Sequence, residues 1–386
     1  MLINKAYKFR LYPNNLQITI INKTIGCTRL VYNHMLALKK ENNYLSRFDM
    51  NKLLPLLKEE YPFLNEVDSC SLRCSIFDLE NGFNRYYKKL GGMPRFKKKG
   101  ISVSYRTNNI TNTYKGKTYN SISVDLKRKE ITLPKLKKVK IRGYRNLKEL
   151  PGRIINATIS KEGNKYYVSV VVSEEIKNQS KKTRGIVGID LGVKTLVVTS
   201  DNEYYGNPKH LTKYERRIKK EQKKLSRKIK GSKNYKKTIN KLDELYRKLK
   251  NARKKTAEDI VNKVIENNDV IVTEALNIKE MTKKENKNKS LRKEILNSTF
   301  GKIIKILEYK CKWAGKTIIK VSPYYSSSQI CSYCNKKDQS MKDIRKREYK
   351  CTECGNVIER DINASMNILN EGIRILIERN DNRVND

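Results

Sequence analysis

Acidic residues are scarce in this 386-residue chain: 40 Asp and Glu stand against 85 Lys and Arg, a formal charge of +45. That much positive charge opposes compaction unless a polyanion neutralises it. Nucleic acid is the expected polyanion. An anionic membrane surface is the rival, yet the basic stretches are spread over most of the chain, whereas a membrane anchor is usually one cluster beside an apolar face. Long apolar runs are missing as well. No stretch of about 18 apolar residues occurs, which argues against a transmembrane helix. Met1-Leu2-Ile3-Asn4-Lys5 turns polar at once and lacks the apolar core of a signal peptide. No long-period repeat is present. These absences predict a cytoplasmic, nucleoid-associated protein without a membrane partner, in a compartment where thiols stay reduced.

What is present suffices for two or three cores, so a multi-part architecture is expected. Residues 3–11 read as a strand, and Tyr12-Pro13-Asn14-Asn15 suits a turn and a helix start. Ile18, Ile21, Ile25 and Leu36 recur at helical intervals, and further helical stretches cover Leu53–Leu57 and Leu72–Leu90. The texture then changes. Between Arg85 and Glu149 there are 20 Lys and Arg against 3 Asp and Glu, with Tyr86, Tyr87, Phe96, Tyr105, Tyr114, Tyr119 and Tyr144 interleaved. Period-two alternation at Ile122, Val124, Leu126, at Ile131 and Leu133, and from Ile155 to Val172 predicts a small β-barrel or curled sheet. Lys177–Arg184 reads as a linker.

A second module starts at Gly185. Ile186–Asp190 and Lys194–Thr199 read as strands, followed by a long basic helical region. From Lys209 to Lys263 there are 22 Lys and Arg against 6 Asp and Glu, with a break near Gly231-Ser232. Val270-Ile271-Val272 is a buried strand, Leu291–Trp313 one helix, Thr317–Val321 a strand and Ala364–Leu376 a last helix. This alternation is an α/β module interrupted near its end by a cysteine segment.

Two motifs carry chemistry. Cys331-Ser332-Tyr333-Cys334 and Cys351-Thr352-Glu353-Cys354 are Cys-x-x-Cys knuckles separated by 16 residues, a spacing that lets four thiolates enclose one tetrahedral Zn²⁺. Four such ligands leave no open position, so the site is expected to be structural; a redox pair or an iron–sulfur site is the alternative. Cys27, Cys70, Cys74 and Cys311 are scattered and read as buried thiols. The second motif is acidic. Asp190 ends an apolar strand, Glu274 follows Val270-Ile271-Val272-Thr273, and Asp361 lies between Arg360 and the start of the last helix. Carboxylates at strand carboxyl ends sit where α/β sheets build sites. They would raise one another's pKa unless a divalent cation neutralised them, and two cations held ~3.5–4 Å apart can hydrolyse a phosphodiester. A single acid after a strand is most often a helix cap or turn former, and spacing alone leaves the two readings open.

Gly188-Ile189-Asp190-Leu191-Gly192-Val193-Lys194-Thr195-Leu196 resembles the first RuvC motif of the insertion-sequence-encoded TnpB (OrfB) proteins. Val270–Ile278 resembles the second. Ser326–Gly355 followed by Arg360-Asp361-Ile362-Asn363-Ala364-Ser365-Met366-Asn367-Ile368 resembles the zinc ribbon and third motif. Lys5-Ala6-Tyr7-Lys8-Phe9-Arg10-Leu11-Tyr12-Pro13, Arg29-Leu30-Val31-Tyr32-Asn33 and Pro94-Arg95-Phe96-Lys97 resemble the family's N-terminal signatures. One departure is Glu274-Ala275-Leu276, where the family usually has Glu-Asn-Leu.

The resemblance implies an RNA-guided DNA endonuclease, a compact relative of type V CRISPR effectors, whose partners are a guide RNA and a double-stranded DNA target. It implies an α+β multidomain chain. A β-barrel (1–12 and about 92–180) with a helical insertion (about 13–91) precedes a RuvC/RNase H-like α/β domain (181–386) carrying a zinc ribbon at about 326–357. Asp190, Glu274 and Asp361 map onto the family's catalytic acids holding Mg²⁺ or Mn²⁺, and Cys331, Cys334, Cys351 and Cys354 onto its Zn²⁺ ligands. Candidate nucleic-acid contacts are Lys97, Lys98, Lys99, Lys137 and Lys138 for RNA, with Arg216, Arg217, Lys223, Lys224 and Arg227 beside a duplex. A small CRISPR effector, a guided repressor without cleavage and a strand-transfer recombinase are the competing readings. No catalytic Tyr beside paired His supports the last.

Overall fold

Alternating apolar residues do in the N-terminal strand what their period demands: Ile3, Tyr7, Phe9 and Leu11 of β1 (Leu2–Tyr12) are buried on one face. The computed structural model describes residues 2–42, 44–100, 103–114, 117–143, 147–175, 185–282, 289–343 and 346–384. It divides into two units, Met1–Ile176 and Lys177–Asp386; the expected linker at Lys177–Arg184 lies outside the described residues, as does Tyr144.

In the first unit the turn after β1 closes with a capping box. Asn14 accepts the Gln17 amide N–H at 2.9 Å, and the Gln17 side chain accepts the Asn14 N–H at 3.0 Å, which satisfies donors that a helix start leaves open. Four helices follow, α1 (Asn15–Glu41), α2 (Arg47–Lys52), α3 (Leu54–Glu60) and α4 (Ser69–Tyr87). They bury their own core, with Val31, Met35, Leu36, Met50, Leu72 and Ile76 at its centre. The remaining strands are β2 (Ser104–Asn108), β3 (Thr111–Tyr114), β4 (Lys117–Asn120), β5 (Ser123–Asp125), β6 (Glu130–Leu133), β7 (Lys137–Arg142), β8 (Arg153–Glu162) and β9 (Lys165–Glu175). Seven form one antiparallel sheet in the order β2-β8-β9-β1-β7-β6-β5 around a single apolar core.

The described residues form a sheet rather than the closed β-barrel that the resemblance implies. Among the described residues no ladder joins the edge strands β2 and β5. The chain between them is drawn off into a separate hairpin, β3–β4, and β5 is only three residues long. The side chain of Asn109 spans the gap instead. It accepts the Ile122 N–H at 2.9 Å and donates to the Ile154 carbonyl at 3.2 Å.

The second unit is built on a five-stranded sheet, β10 (Ile186–Asp190), β11 (Thr195–Thr199), β12 (Tyr204–Gly206), β13 (Val270–Glu274) and β14 (Thr317–Val321), ordered β12-β11-β10-β13-β14. The three central-to-edge strands β10, β13 and β14 are parallel, and β11 and β12 run antiparallel. Helices α5 (His210–Ser226) and α6 (Lys233–Asn267) make the basic segment, with their break at 227–232. The single helix expected over Leu291–Trp313 is two, α8 (Lys289–Ser298) and α9 (Phe300–Ala314), after a short α7 (Ile278–Met281). Thr299 breaks it with a left-handed φ of 64°, a conformation no helix interior accommodates. Val187, Ile189 and Ile271 pack on one face of the sheet with Val261, Ile303 and Leu307. Val272, Ile319 and Val321 pack on the other face with Ile368 of α10 (Arg360–Val384). The hairpin β15 (Glu348–Lys350) and β16 (Val357–Glu359) precedes α10. No helix among the described residues is long and apolar enough to cross a membrane.

Candidate functional site

Asp190 is the last residue of β10 and Glu274 the last of β13. These strands are parallel neighbours with Ile189 opposite Thr273, so the two carboxylates leave the sheet side by side at its carboxyl edge. Asp361 does not precede the last helix as expected; it lies in the first turn of α10, where the helix dipole favours an acid. Two glycines bring that helix against the sheet. A Cβ on Gly188 would stand 2.2 Å from the Ser365 carbonyl oxygen, and one on Gly372 would stand 2.4 Å from the Val272 side chain. Hydrogen at these positions lets the strand backbone meet the helix backbone at Gly188 and the helix backbone seat on the Val272 side chain at Gly372.

The three acids line one cavity of about 760 Å³, together with Lys209, Ser328, Arg347 and Arg360. Burial pushes the pKa of Asp190 up to about 7, and the charges of Glu274 and Asp361 add to the shift. Burial also raises Glu274, against the pull of the Ser327 hydroxyl that donates to its Oε1 at 2.8 Å. Arg347 reaches Asp361 at 3.8 Å. A cavity whose carboxylates destabilise each other's charge favours a cation. The three do not draw together as tightly as the thiols below, which form the one group of potential metal ligands within 4.8 Å of one another among the described residues.

The cysteines converge. Cys331 and Cys354 lie 3.7 Å apart at sulfur, and Cys334 and Cys351 3.5 Å. A tetrahedron with Zn–S of ~2.3 Å has sulfurs roughly 3.8 Å apart, so the donor set fits zinc. The same turn is built twice: Asn335 N–H donates to the Cys331 carbonyl and Gly355 N–H to that of Cys351, both at 3.0 Å. Asn335 and Gly355 both take left-handed φ, 60° and 70°. Tyr349 and Met341 form the small core beneath. Cys27, Cys70, Cys74 and Cys311 are buried thiols.

Of the basic candidates, Lys98, Lys99, Lys137 and Lys138 are exposed in the first unit. Lys97 turns inward. Its ammonium lies 3.8 Å from the Tyr32 ring centroid, and its backbone exchanges two hydrogen bonds with the Asn33 amide at 2.8 and 3.0 Å. Arg216, Arg217, Lys223 and Lys224 are exposed on α5, with Arg227 just past its end. Sequence reasoning missed Ser327, Arg347, Asn363 and Asn367. Ser327 and Arg347 are marked by contact with an acid of the cavity, and Asn363 and Asn367 by their bonds to the turn that carries Ser327, contacts that only the fold reveals.

Three family profiles match successive segments: "Helix-turn-helix domain" over residues 1–47, "Probable transposase" over 168–285 and "Cas12f1-like, TNB domain" over 300–368. The first two are profiles of OrfB of the IS605 type, the other name of TnpB. The chain belongs to the TnpB family. A relative from Streptomyces pristinaespiralis, named "Putative RNA-guided DNA endonuclease", is 29% identical over 96% of this TnpB chain and 90% of its own length. InsQ of Escherichia coli strain K12, with the same name, is 27% identical over 96% and 93%. A chain of the solved "Cryo-EM structure of the Cas12f1-sgRNA-target DNA complex" matches with a TM-score of 0.50 at 14% identity, covering 95% of this chain and 98% of that one. At that identity the likeness shows the fold alone. In this TnpB chain the segment matched as a helix-turn-helix holds a strand, one helix of 27 residues and the first residue of the next.

Proposed function

We propose that this TnpB-family protein is an RNA-guided DNA endonuclease that hydrolyses phosphodiester bonds by a metal-dependent RuvC-type mechanism. One observation carries the reading: Asp190, Glu274 and Asp361, from three separate elements, line a single cavity. The order β12-β11-β10-β13-β14, with the acids at the carboxyl ends of adjacent parallel strands and on α10, supports a RuvC/RNase H-like domain. The names of full-length relatives support RNA guidance and a DNA target.

The donor set consists of hard oxygens, which suits Mg²⁺ or Mn²⁺. Such cations, when bound, activate a water and stabilise the leaving oxygen of the phosphodiester. Asp190 and Glu274 would hold them from the sheet edge, and Asp361 from the helix. Asp190 would have to lose its proton for this, which burial and then its acidic neighbours oppose in the absence of a cation. Arg347 and Arg360 line the same cavity and would attract the phosphate, since guanidinium forks match phosphate oxygens. The thiolate ribbon would hold Zn²⁺ with no open position and so act structurally. The exposed Lys and Arg on the sheet unit and on α5 would supply backbone contacts to guide RNA and duplex, and base pairing would supply the target sequence.

The test is purification from cells expressing the gene with its flanking DNA. The expected result is co-purification of one defined RNA, and cutting of a plasmid carrying the matching sequence in Mg²⁺ but not in EDTA. Protein that carries no defined RNA, or that cuts equally in EDTA, would overturn the reading.

A further inference from the structure

The ribbon and the acidic cavity are separate centres, yet one hydroxyl joins them. Ser327 forms the short turn Ser327–Gln329 that leads into the first knuckle, four residues before Cys331. It is buried, 6% exposed, and its Oγ donates to Glu274 Oε1 at 2.8 Å. Its own backbone is held from the other side by α10. The Asn367 amide donates to the carbonyls of Ser327 at 2.8 Å and Ile330 at 2.6 Å. Asn363 donates to the Ile330 carbonyl at 2.6 Å and accepts the Ser332 N–H at 2.9 Å. Both asparagines are fully buried, at 0% and 1%. They lie two and six residues beyond Asp361 on the same helix.

We infer that Ser327 is a positioning residue for the acidic site: its hydroxyl fixes one oxygen of Glu274 so that the other faces the cavity, and the ribbon thereby braces the site. This deepens the reading of the cavity as a cation site and rests on it. The physical reason is rotational. A Glu side chain at a strand end has three torsions, and a free carboxylate beside Asp190 and Asp361 would swing away from their charge. A donor on a turn clamped by two buried amides removes that freedom, as hydrogen-bonded outer residues do for metal ligands generally. It also ties Glu274 to Asp361: the sheet acid is held by a turn whose own position is set by the helix that carries the third acid.

The experiment measures Mn²⁺ binding by electron paramagnetic resonance on full-length protein stripped of nucleic acid. It compares wild type, Ser327→Ala, Ser327→Thr, Glu274→Ala and the Ser327→Ala/Glu274→Ala double variant, with zinc content measured on each. We expect Ser327→Ala to weaken Mn²⁺ by about 10-fold or more with zinc retained, and Ser327→Thr, which keeps the hydroxyl, to restore much of the affinity. In the Glu274→Ala background the added Ser327→Ala change should cost nothing further, since a residue acting through another is silent once that other is gone. Wild-type affinity in Ser327→Ala, or an equal loss in both backgrounds, would overturn the inference while leaving the cation site intact. If Glu274→Ala binds Mn²⁺ like wild type, the underlying reading of the cavity fails instead.

Discussion

Substituting Gly188 by Ala tests whether the close approach of α10 to the sheet positions the acids. The added Cβ would meet the Ser365 carbonyl oxygen at 2.2 Å, the Leu369 amide nitrogen at 2.7 Å and the Leu369 Cβ at 2.8 Å. The first two are backbone atoms, so no side-chain rotation relieves the clash. The helix must retreat by roughly 1 Å, an overpacking that costs about 1–3 kcal/mol. For a domain of this size each kcal/mol lowers the melting temperature by roughly 2–4 °C. The functional loss should exceed the stability loss. The retreat carries Asp361 away from Asp190, and a misplacement of ~1 Å can cost on the order of 10²-fold in rate. The assay is single-turnover cleavage of guide-matched DNA beside thermal melting, with Gly206→Ala as control, because nothing lies within 4 Å of a Cβ there. Gly188→Ala protein that melts and cuts like wild type would refute the reasoning.

Cys331→Ser and Cys351→Ser should each lose the bound zinc, about one per wild-type chain, together with the fold of the ribbon, since a closed structural site contributes folding energy; metal analysis of soluble wild-type protein that finds no zinc would contradict this. The pKa of Asp190 gives a pH dependence of the metal-free protein. Its folded value of about 7 lies above the ordinary 3.8, so the folded state holds the proton more tightly and stability is lost as pH rises from about 4 through 7. Asp190→Asn should therefore raise the metal-free melting temperature at pH 8 and leave it unchanged at pH 4, and an equal shift at both pH values would count against the cause given.

Much of this architecture was legible because its signals are local. Alternation marked the strands, the Pro13-Asn14 turn marked the start of α1, and the paired Cys-x-x-Cys knuckles announced the thiolate cluster. The strand-end acids were visible too, because β10 and β13 each finish an apolar run. What was not legible depends on tertiary partners. Nothing in the alternation around Ile122 and Val124 says that Asn109 would bridge an open seam. Leu291–Trp313 keeps helical spacing across Thr299, so the break is invisible to periodicity. Lys97 sits in a basic run like its neighbours Lys98 and Lys99, and only the fold shows its backbone locked by Asn33. Ser327 and the Asn363–Asn367 pair are ordinary polar residues until the helix and the ribbon are brought together.

The central claim is that Asp190, Glu274 and Asp361 form one cation-holding nuclease site. The most direct measurement is cleavage of guide-matched DNA by wild type and by Asp190→Ala, Glu274→Ala and Asp361→Ala in Mg²⁺, with target binding measured on the same preparations. The account predicts that each variant binds its guide and target as wild type does, because that energy comes from base pairing and backbone contacts elsewhere, and that none of them cuts. Undiminished cutting by any one variant would remove that residue from the site, and a wild type that binds guided targets but never cuts them would contradict the claim outright.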